Sequence, residues 1–240
     1  MPDYSPKAIK KDARELVLSA KPSPIVAALI LISVLLVLDT LSTRLTGIAV
    51  SQNDMTKYMN LVQAGRDSEA IEFAASLYQA PSALNSLVDM LIRFLMVILS
   101  AGYSIFTLNT VRKTGTACYE NLLDGFGLWW KIILMSLLES VIIFALSLLL
   151  IFPGIIAAYC YRQSLYILID HPELSPVKCM KLSRQLMKGH KLELFKLDLS
   201  LLGWYILSTF MPCRVWTRPY TETVRFMYYE QLCSPSAEAV

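Results

Sequence analysis

Residues 131–169 read KIILMSLLESVIIFALSLLLIFPGIIAAYCYRQSLYILI, and this stretch decides the fold. Its 39 residues carry only three charges: Lys131, Glu139 and Arg162. One helix at ~1.5 Å per residue would extend about 58 Å, nearly twice a hydrocarbon core of ~30 Å. The run must therefore fold back, and Phe152-Pro153-Gly154 supplies the break. Proline has no N–H to continue a helix, and glycine permits the turn. The reading is a tight hairpin of two spans, Lys131 to Ile151 and Pro153 to Ile169. Glu139 lies about a dozen residues before the turn and Arg162 about ten after it, a depth difference of only ~3 Å. An isolated charge at that depth is costly and a facing pair is tolerable. Glu139 and Arg162 are thus expected to face each other or share a polar cavity, as a packing ion pair or as a functional polar site.

Two further apolar runs precede the hairpin. Pro24 to about Thr43 holds no charge between Ile25 and Leu38. Residues 83–108 contain Asp89 and Arg93, four apart and so on one helix face, where pairing within the helix is the cheapest remedy. Between them lies a polar loop, residues 44–82, in which Asp54, Asp67, Glu69 and Glu72 outnumber Arg44, Lys57 and Arg66. Its second half, residues 68–79, has helical character, and Pro81 ends it. Trp129 and Trp130 mark a membrane interface, as aromatic belts do. A fifth span is expected over residues 192–211, where Lys196 can snorkel and Asp198 needs a partner or a place near the headgroups. A last helix, residues 212–232, is marginal as a span because Arg214, Arg218, Glu222, Arg225 and Glu230 interrupt it.

Two segments are basic and amphipathic. In residues 5–20, Ile9, Ala13, Leu16, Val17 and Ala20 share a face, with Lys7, Lys10, Lys11 and Arg14 around the rest. Such a helix can lie on an anionic leaflet or be a solvated stub. In residues 175–189, Ser175 and Pro176 signal a helix start and Gly189 a stop. Lys178, Lys181, Arg184 and Lys188 cluster on one side, opposite Cys179, Leu182, Leu186 and Met187. This helix either binds anionic lipid, at roughly 1 kcal/mol per basic residue, or only sets topology.

Composition agrees with a membrane protein. Of 240 residues, 55% are hydrophobic and 17% charged, with a mean hydropathy of +0.49. Soluble domains carry about 25% charged residues. A net charge of +3 argues against nucleic-acid binding by the chain as a whole. Five dispersed cysteines without a C-x-x-C pair and two histidines without HExxH exclude the common metal motifs. No catalytic residues, metal site or cofactor are expected, since G-x-S-x-G, P-loop and paired-carboxylate motifs are missing; the chain is read as no enzyme. The first apolar run follows a basic segment and lacks a small-x-small cleavage site, so it reads as a retained anchor.

Loop charge sets the orientation. Lys7, Lys10, Lys11, Arg14 and Lys21, then Arg112, Lys113 and Lys131, then Lys178, Lys181, Arg184, Lys188, Lys191 and Lys196 fall on one side. The residue 44–82 loop on the other side holds three basic residues. The N-terminus is therefore expected in the cytoplasm and the acidic loop outside it. The fold class is all-α, a polytopic transmembrane bundle of about six helices with amphipathic basic interfacial helices. It forms one membrane domain over residues 1–240, with a cytoplasmic amphipathic segment at 1–23.

IFPGIIAAYCY at 151–161, LYILID at 165–170, HPELSP at 171–176, SRQLMKGHK at 183–191, LELFKLDLSLLGWYIL at 192–207 and PYTETVRFMYYEQL at 219–232 form a pattern. It resembles a bacterial family of uncharacterised membrane proteins, domain-of-unknown-function family nine-seven-five, found largely in Gram-positive bacteria. The resemblance is close over residues 125–232 and looser over the first span and basic N-terminal helix. It implies a compact bundle of about six helices in a bacterial cytoplasmic membrane and no assigned activity. Arg162 and Gln163 depart from positions that resemble small or apolar ones in that pattern, and Arg214, Thr217 and Arg218 from an apolar start to the last span.

Two functions fit these residues. One is a membrane-embedded binding or scaffold protein that contacts anionic lipid, or a membrane or cytoplasmic protein partner, through Lys178, Lys181, Arg184 and Lys188. The other is a small permease or exporter component with a polar pathway near Glu139 and Arg162. Asp89, Arg93, Glu139, Arg162 and Asp198 are the intramembrane polar candidates.

Overall fold

Apolar runs too long for strands and broken by proline and glycine can only fold as helices, and the computed structural model is all-α. It describes residues 6–46, 52–77, 82–112, 117–149 and 151–233, and no strand occurs among them. The helices are α1 Pro6–Ser19, α2 Pro24–Thr46, α3 Gln52–Gln63, α4 Asp67–Leu77, α5 Ala83–Arg112, α6 Trp129–Leu149, α7 Ile151–Tyr161, α8 Ser164–Asp170, α9 Pro176–Leu186, α10 Lys191–Ser200, α11 Leu202–Leu207 and α12 Arg214–Cys233. A 3₁₀ stretch, Tyr119–Leu128, leads into α6. Among the described residues, three segments are long and apolar enough to cross a membrane: Pro24–Leu45, Ala83–Arg112 and Tyr119–Leu148.

The chain forms two compact units, residues 33–96 and residues 1–32 with 97–240. In the first, α3 and α4 pair across a turn at Gly65, whose φ of +68° is a left-handed conformation that glycine adopts freely. Lys57 sits over the Phe73 ring at 4.3 Å, and Arg66 Nε donates to Glu69 at 2.7 Å. The acidic loop is thus largely helical, including the α3 half that its polar sequence left unmarked. The expected stop at Pro81 lies outside the described residues.

In the second unit, α6 and α7 form the expected hairpin, and Pro153 occupies the first turn of α7, where its missing N–H is no loss. A Cβ on Gly154 would stand 2.0 Å from Ser147 Oγ, so the two helices touch there. At the opposite end, Lys131 Nζ donates to the carbonyls of Pro172 and Leu174, tying the start of α6 to the chain after α8. One core joins α5, α6, α8, α9 and α12 through Leu108, Met135, Leu168, Met180 and Phe226. A second joins α1, α10 and α12 through Ile9, Ala13, Leu194, Leu197, Val224 and Tyr228.

Three expectations need correction. The fourth span is two helices, broken at Arg162-Gln163, and the fifth is two helices, broken at the buried Leu201. The last helix is there as expected, α12, and it is not among the segments long and apolar enough to cross; Thr217, Thr221, Thr223, Phe226 and Tyr229 are buried in it. Finally, α1 does not offer its apolar face to lipid. Ile9, Ala13 and Val17 are buried inside the protein, a contact worth about 1.5–3 kcal/mol for a fully buried side chain of Ile9's size.

Candidate functional site

The broken fourth span is built around one hydroxyl. Ser183 of α9 is fully buried. Its Oγ donates to the Cys160 carbonyl at 2.8 Å and accepts the Gln163 backbone N–H at 3.2 Å. It thereby pairs two backbone groups exposed by the unwound turn. Gln163 turns inward, and its Nε2 lies 3.8 Å from Met187 Sδ. Ser183→Ala is expected to lower stability by about 1–3 kcal/mol, the cost of unpaired buried polar groups. Thermal unfolding of the purified protein checks this, and an unchanged midpoint would refute it.

Glu139 faces this break. Its Oε1 is buried without a hydrogen-bond partner, and Ser164 and Arg162 are its polar neighbours. No direct ion pair joins Glu139 to Arg162 among the described residues, and Arg162 itself is exposed. Glu139 on α6 and Arg162 just after α7 are electrostatic neighbours across the hairpin without a salt bridge.

Asp198 finds its partners inside the protein. Tyr205 Oη donates to Oδ1 at 3.0 Å and Tyr159 Oη to Oδ2 at 3.3 Å. Arg225 lies 3.5 Å from Asp198, 3.9 Å from Glu222 and donates to Tyr205 Oη at 2.7 Å. Tyr166 extends the cluster to Glu222 at 3.5 Å. Sequence reasoning missed Glu222, Arg225 and the three tyrosines. Their signal was the i,i+3 spacing of Glu222 and Arg225, which puts opposite charges on one face. This network sets one guanidinium between two carboxylates and ties α7, α8, α10, α11 and α12 together; losing Arg225 would strand Asp198 and Glu222.

In the unit of residues 33–96, Arg93 Nε donates to Asp89 Oδ2 at 2.8 Å, and Ser42 Oγ donates to Asp89 Oδ1. The α2 hydroxyl thus joins the pair within α5.

The basic face of α9 is fixed by its other side. Pro176, Cys179, Met180 and Ser183 are buried, while Lys178, Lys181, Arg184 and Lys188 are exposed. Leu182, expected on the apolar side, is exposed at 40%. Ser175 holds the N-cap position without a side-chain cap bond; the helix ends at Leu186, short of the expected stop at Gly189, so Lys188 sits in the following turn, where Gly189 has φ +92°. Burial pushes the Cys179 thiol up from its ordinary pKa, which disfavours the reactive thiolate.

An open cleft of about 710 Å³ lies among α1, the end of α5 and α12, lined by Asp12, Glu15, Lys21, Asn109 and Met227. Neither Glu139 nor Arg162 lines it. No group of three His, Cys, Asp or Glu side chains is placed to hold a metal ion among the described residues.

No curated protein and no solved structure matches the chain. Residues 139–236 match the family model described as Protein of unknown function (DUF975), which places the segment from Glu139 to just past α12 in the uncharacterised family that the sequence resembles.

Proposed function

We propose that this chain is an integral protein of a bacterial cytoplasmic membrane, with a cytoplasmic N-terminus, that acts by binding rather than by catalysis. It holds anionic lipid headgroups on the basic face of α9. The observation that carries this reading is the exposed row Lys178, Lys181 and Arg184 on a helix whose opposite side is locked into the core, with Lys188 exposed in the turn just after it. A basic row on a rigid support presents its charges together, with roughly 1 kcal/mol per residue available from an anionic surface. The full chain in vesicles of phosphatidylglycerol and phosphatidylcholine tests it. Replacing all four residues by Gln is expected to abolish enrichment of phosphatidylglycerol around the protein, measured by headgroup-labelled energy transfer. Undiminished enrichment refutes the reading.

A permease component is the second reading, favoured by the buried, unpartnered Oε1 of Glu139 beside Arg162 and Ser164. An intramembrane carboxylate is a site hypothesis in its own right. It predicts that Glu139→Gln alters solute flux in proteoliposomes and leaves lipid enrichment unchanged.

A further inference from the structure

The pair of helices α3 and α4 leaves one side of α3 uncovered. Met55, Met59 and Val62 recur at i, i+4 and i+7, so they form one stripe. They are 54%, 48% and 40% exposed. At about 100° per residue, neither charge of α3, Asp54 or Lys57, lies within a quarter turn of Met55 or Met59. Tyr58 and Gln63 flank the stripe. The partner helix α4 packs on the other side, where Lys57 stands over the Phe73 ring at 4.3 Å and Ala70 is buried. Single apolar residues on a surface are ordinary, but three on one face of a short helix mark a contact surface.

What covers the stripe follows from where these helices are tied. The preceding helix α2 has 23 residues, about 34 Å at ~1.5 Å per residue. A hydrocarbon core is ~30 Å thick and the whole bilayer about 40–45 Å. A crossing α2 therefore ends among the headgroups, and Asp39, Thr40, Thr43 and Arg44 lie in its last two turns. The start of α5 stands beside that end, because Ser42 Oγ donates to Asp89, three residues from Ser86 and in the second turn of α5. Leu41 and Leu87, next to this contact along the chain, are exposed, so the apolar outer surface of α2 and α5 runs up to the same level. Thr46 to Gln52 and Leu77 to Ala83 are six residues each, at most about 20 Å of chain. Both ends of the α3–α4 pair are thus held at the surface of one leaflet. An amphipathic helix held there needs little apolar area to stay down, because its tethers keep it at high effective concentration.

We infer that α3 lies along the membrane surface, with Met55, Met59 and Val62 seated among the headgroups and upper chains of the leaflet in which α2 ends. Methionine suits such a contact, since its flexible thioether chain conforms to irregular apolar surroundings. The contact is apolar and does not select anionic lipid, as the basic face of α9 does. It rests on the reading that the chain is an integral membrane protein.

The test uses the full chain carrying Cys118→Ser, Cys213→Ser and Cys233→Ser, in vesicles of phosphatidylcholine and phosphatidylglycerol. Bimane is attached singly at Met59→Cys, at Val62→Cys and at Asn60→Cys, an exposed position turned away from the stripe. A lipid bearing a nitroxide near the headgroup end of its chain is expected to quench the Met59→Cys and Val62→Cys labels several-fold more than the Asn60→Cys label. Aqueous iodide is expected to show the reverse order. Equal quenching by lipid at all three positions overturns the inference, as does iodide reaching the stripe as freely as Asn60→Cys. Stripe labels shielded from lipid and iodide alike show that a protein, a second copy or another chain, covers the stripe, and also overturn it. Phosphatidylglycerol enrichment through α9 and resistance to alkaline carbonate extraction are read on the same vesicles. If both persist while the stripe meets no lipid, only this docking is wrong. A chain that carbonate strips from the vesicles removes the membrane reading, and this inference with it.

Discussion

Gly102→Ala is expected to lower the thermal stability of the protein by about 2–3 kcal/mol, although alanine is the better helix former. The substitution inside a helix would ordinarily gain about 0.5–1 kcal/mol. Here the added Cβ would stand 2.0 Å from the Leu122 carbonyl oxygen and 2.7 Å from its carbon. Those are backbone atoms of the 3₁₀ stretch, so no side-chain rotation can relieve the contact. Gly125 makes the reciprocal approach: a Cβ there would lie 2.4 Å from the Ile98 carbonyl oxygen and 3.0 Å from the Gly102 nitrogen. The two glycines let α5 and the lead-in to α6 meet backbone to backbone. Overpacking such a contact costs about 1–3 kcal/mol, occasionally more, and here exceeds the helix-propensity gain. Gly203→Ala is the control, because nothing lies within 4 Å of a Cβ at that position. Differential scanning of the three proteins in detergent should place Gly102→Ala and Gly125→Ala well below the parent and Gly203→Ala at or above it. A Gly102→Ala midpoint equal to that of Gly203→Ala would sink the argument.

The hairpin was legible because its evidence is local: an apolar run too long for one crossing, with Pro153 and Gly154 in the middle of it. The pairing of Asp89 with Arg93 follows from four-residue spacing alone. The break at Arg162-Gln163 was not legible, because it depends on Ser183, twenty residues on and in another helix, supplying the two hydrogen bonds that unwinding removes. For the same reason α12 looked like a weak span. Its threonines, tyrosines and charges argue against lipid, but Arg225, Glu222 and Tyr229 meet Asp198, Tyr166 and Asp170 within the protein. Hydropathy scores a helix as though lipid were its only neighbour. The amphipathic pattern of α1 was likewise real and its partner unforeseeable, since a protein core and an anionic leaflet accept the same stripe of Ile9, Ala13 and Val17.

Arg112 closes the end of the bundle, and Arg112→Leu is expected to cost about 2–4 kcal/mol. Its guanidinium forks onto Asp170, Nη1 to Oδ1 at 2.7 Å and Nη2 to Oδ2 at 2.9 Å, and its Nε donates to Glu230 at 2.6 Å. Tyr229 Oη adds a further bond to Asp170 Oδ2 at 2.7 Å. Three helices distant in sequence, α5, α8 and α12, are joined by this one side chain. Removing one partner of a buried pair costs about 3–5 kcal/mol, because the remaining charge is stranded. The lower range applies because Arg112 and Glu230 are about a third exposed, whereas Asp170 is only 14% exposed and bears most of the loss. Leucine would cover the apolar rim and still leave two carboxylates facing each other across the gap. Arg112→Lys keeps the charge but not the fork, and is expected to recover less than half of the loss. Asp170→Asn combined with Arg112→Leu should cost less than the sum of the single changes, since the stranded charge is then gone. Unfolding midpoints of the four proteins at one detergent and salt concentration decide the matter. Additive losses, or an Arg112→Leu protein as stable as the parent, would show that the three helix ends hold without this ion pair.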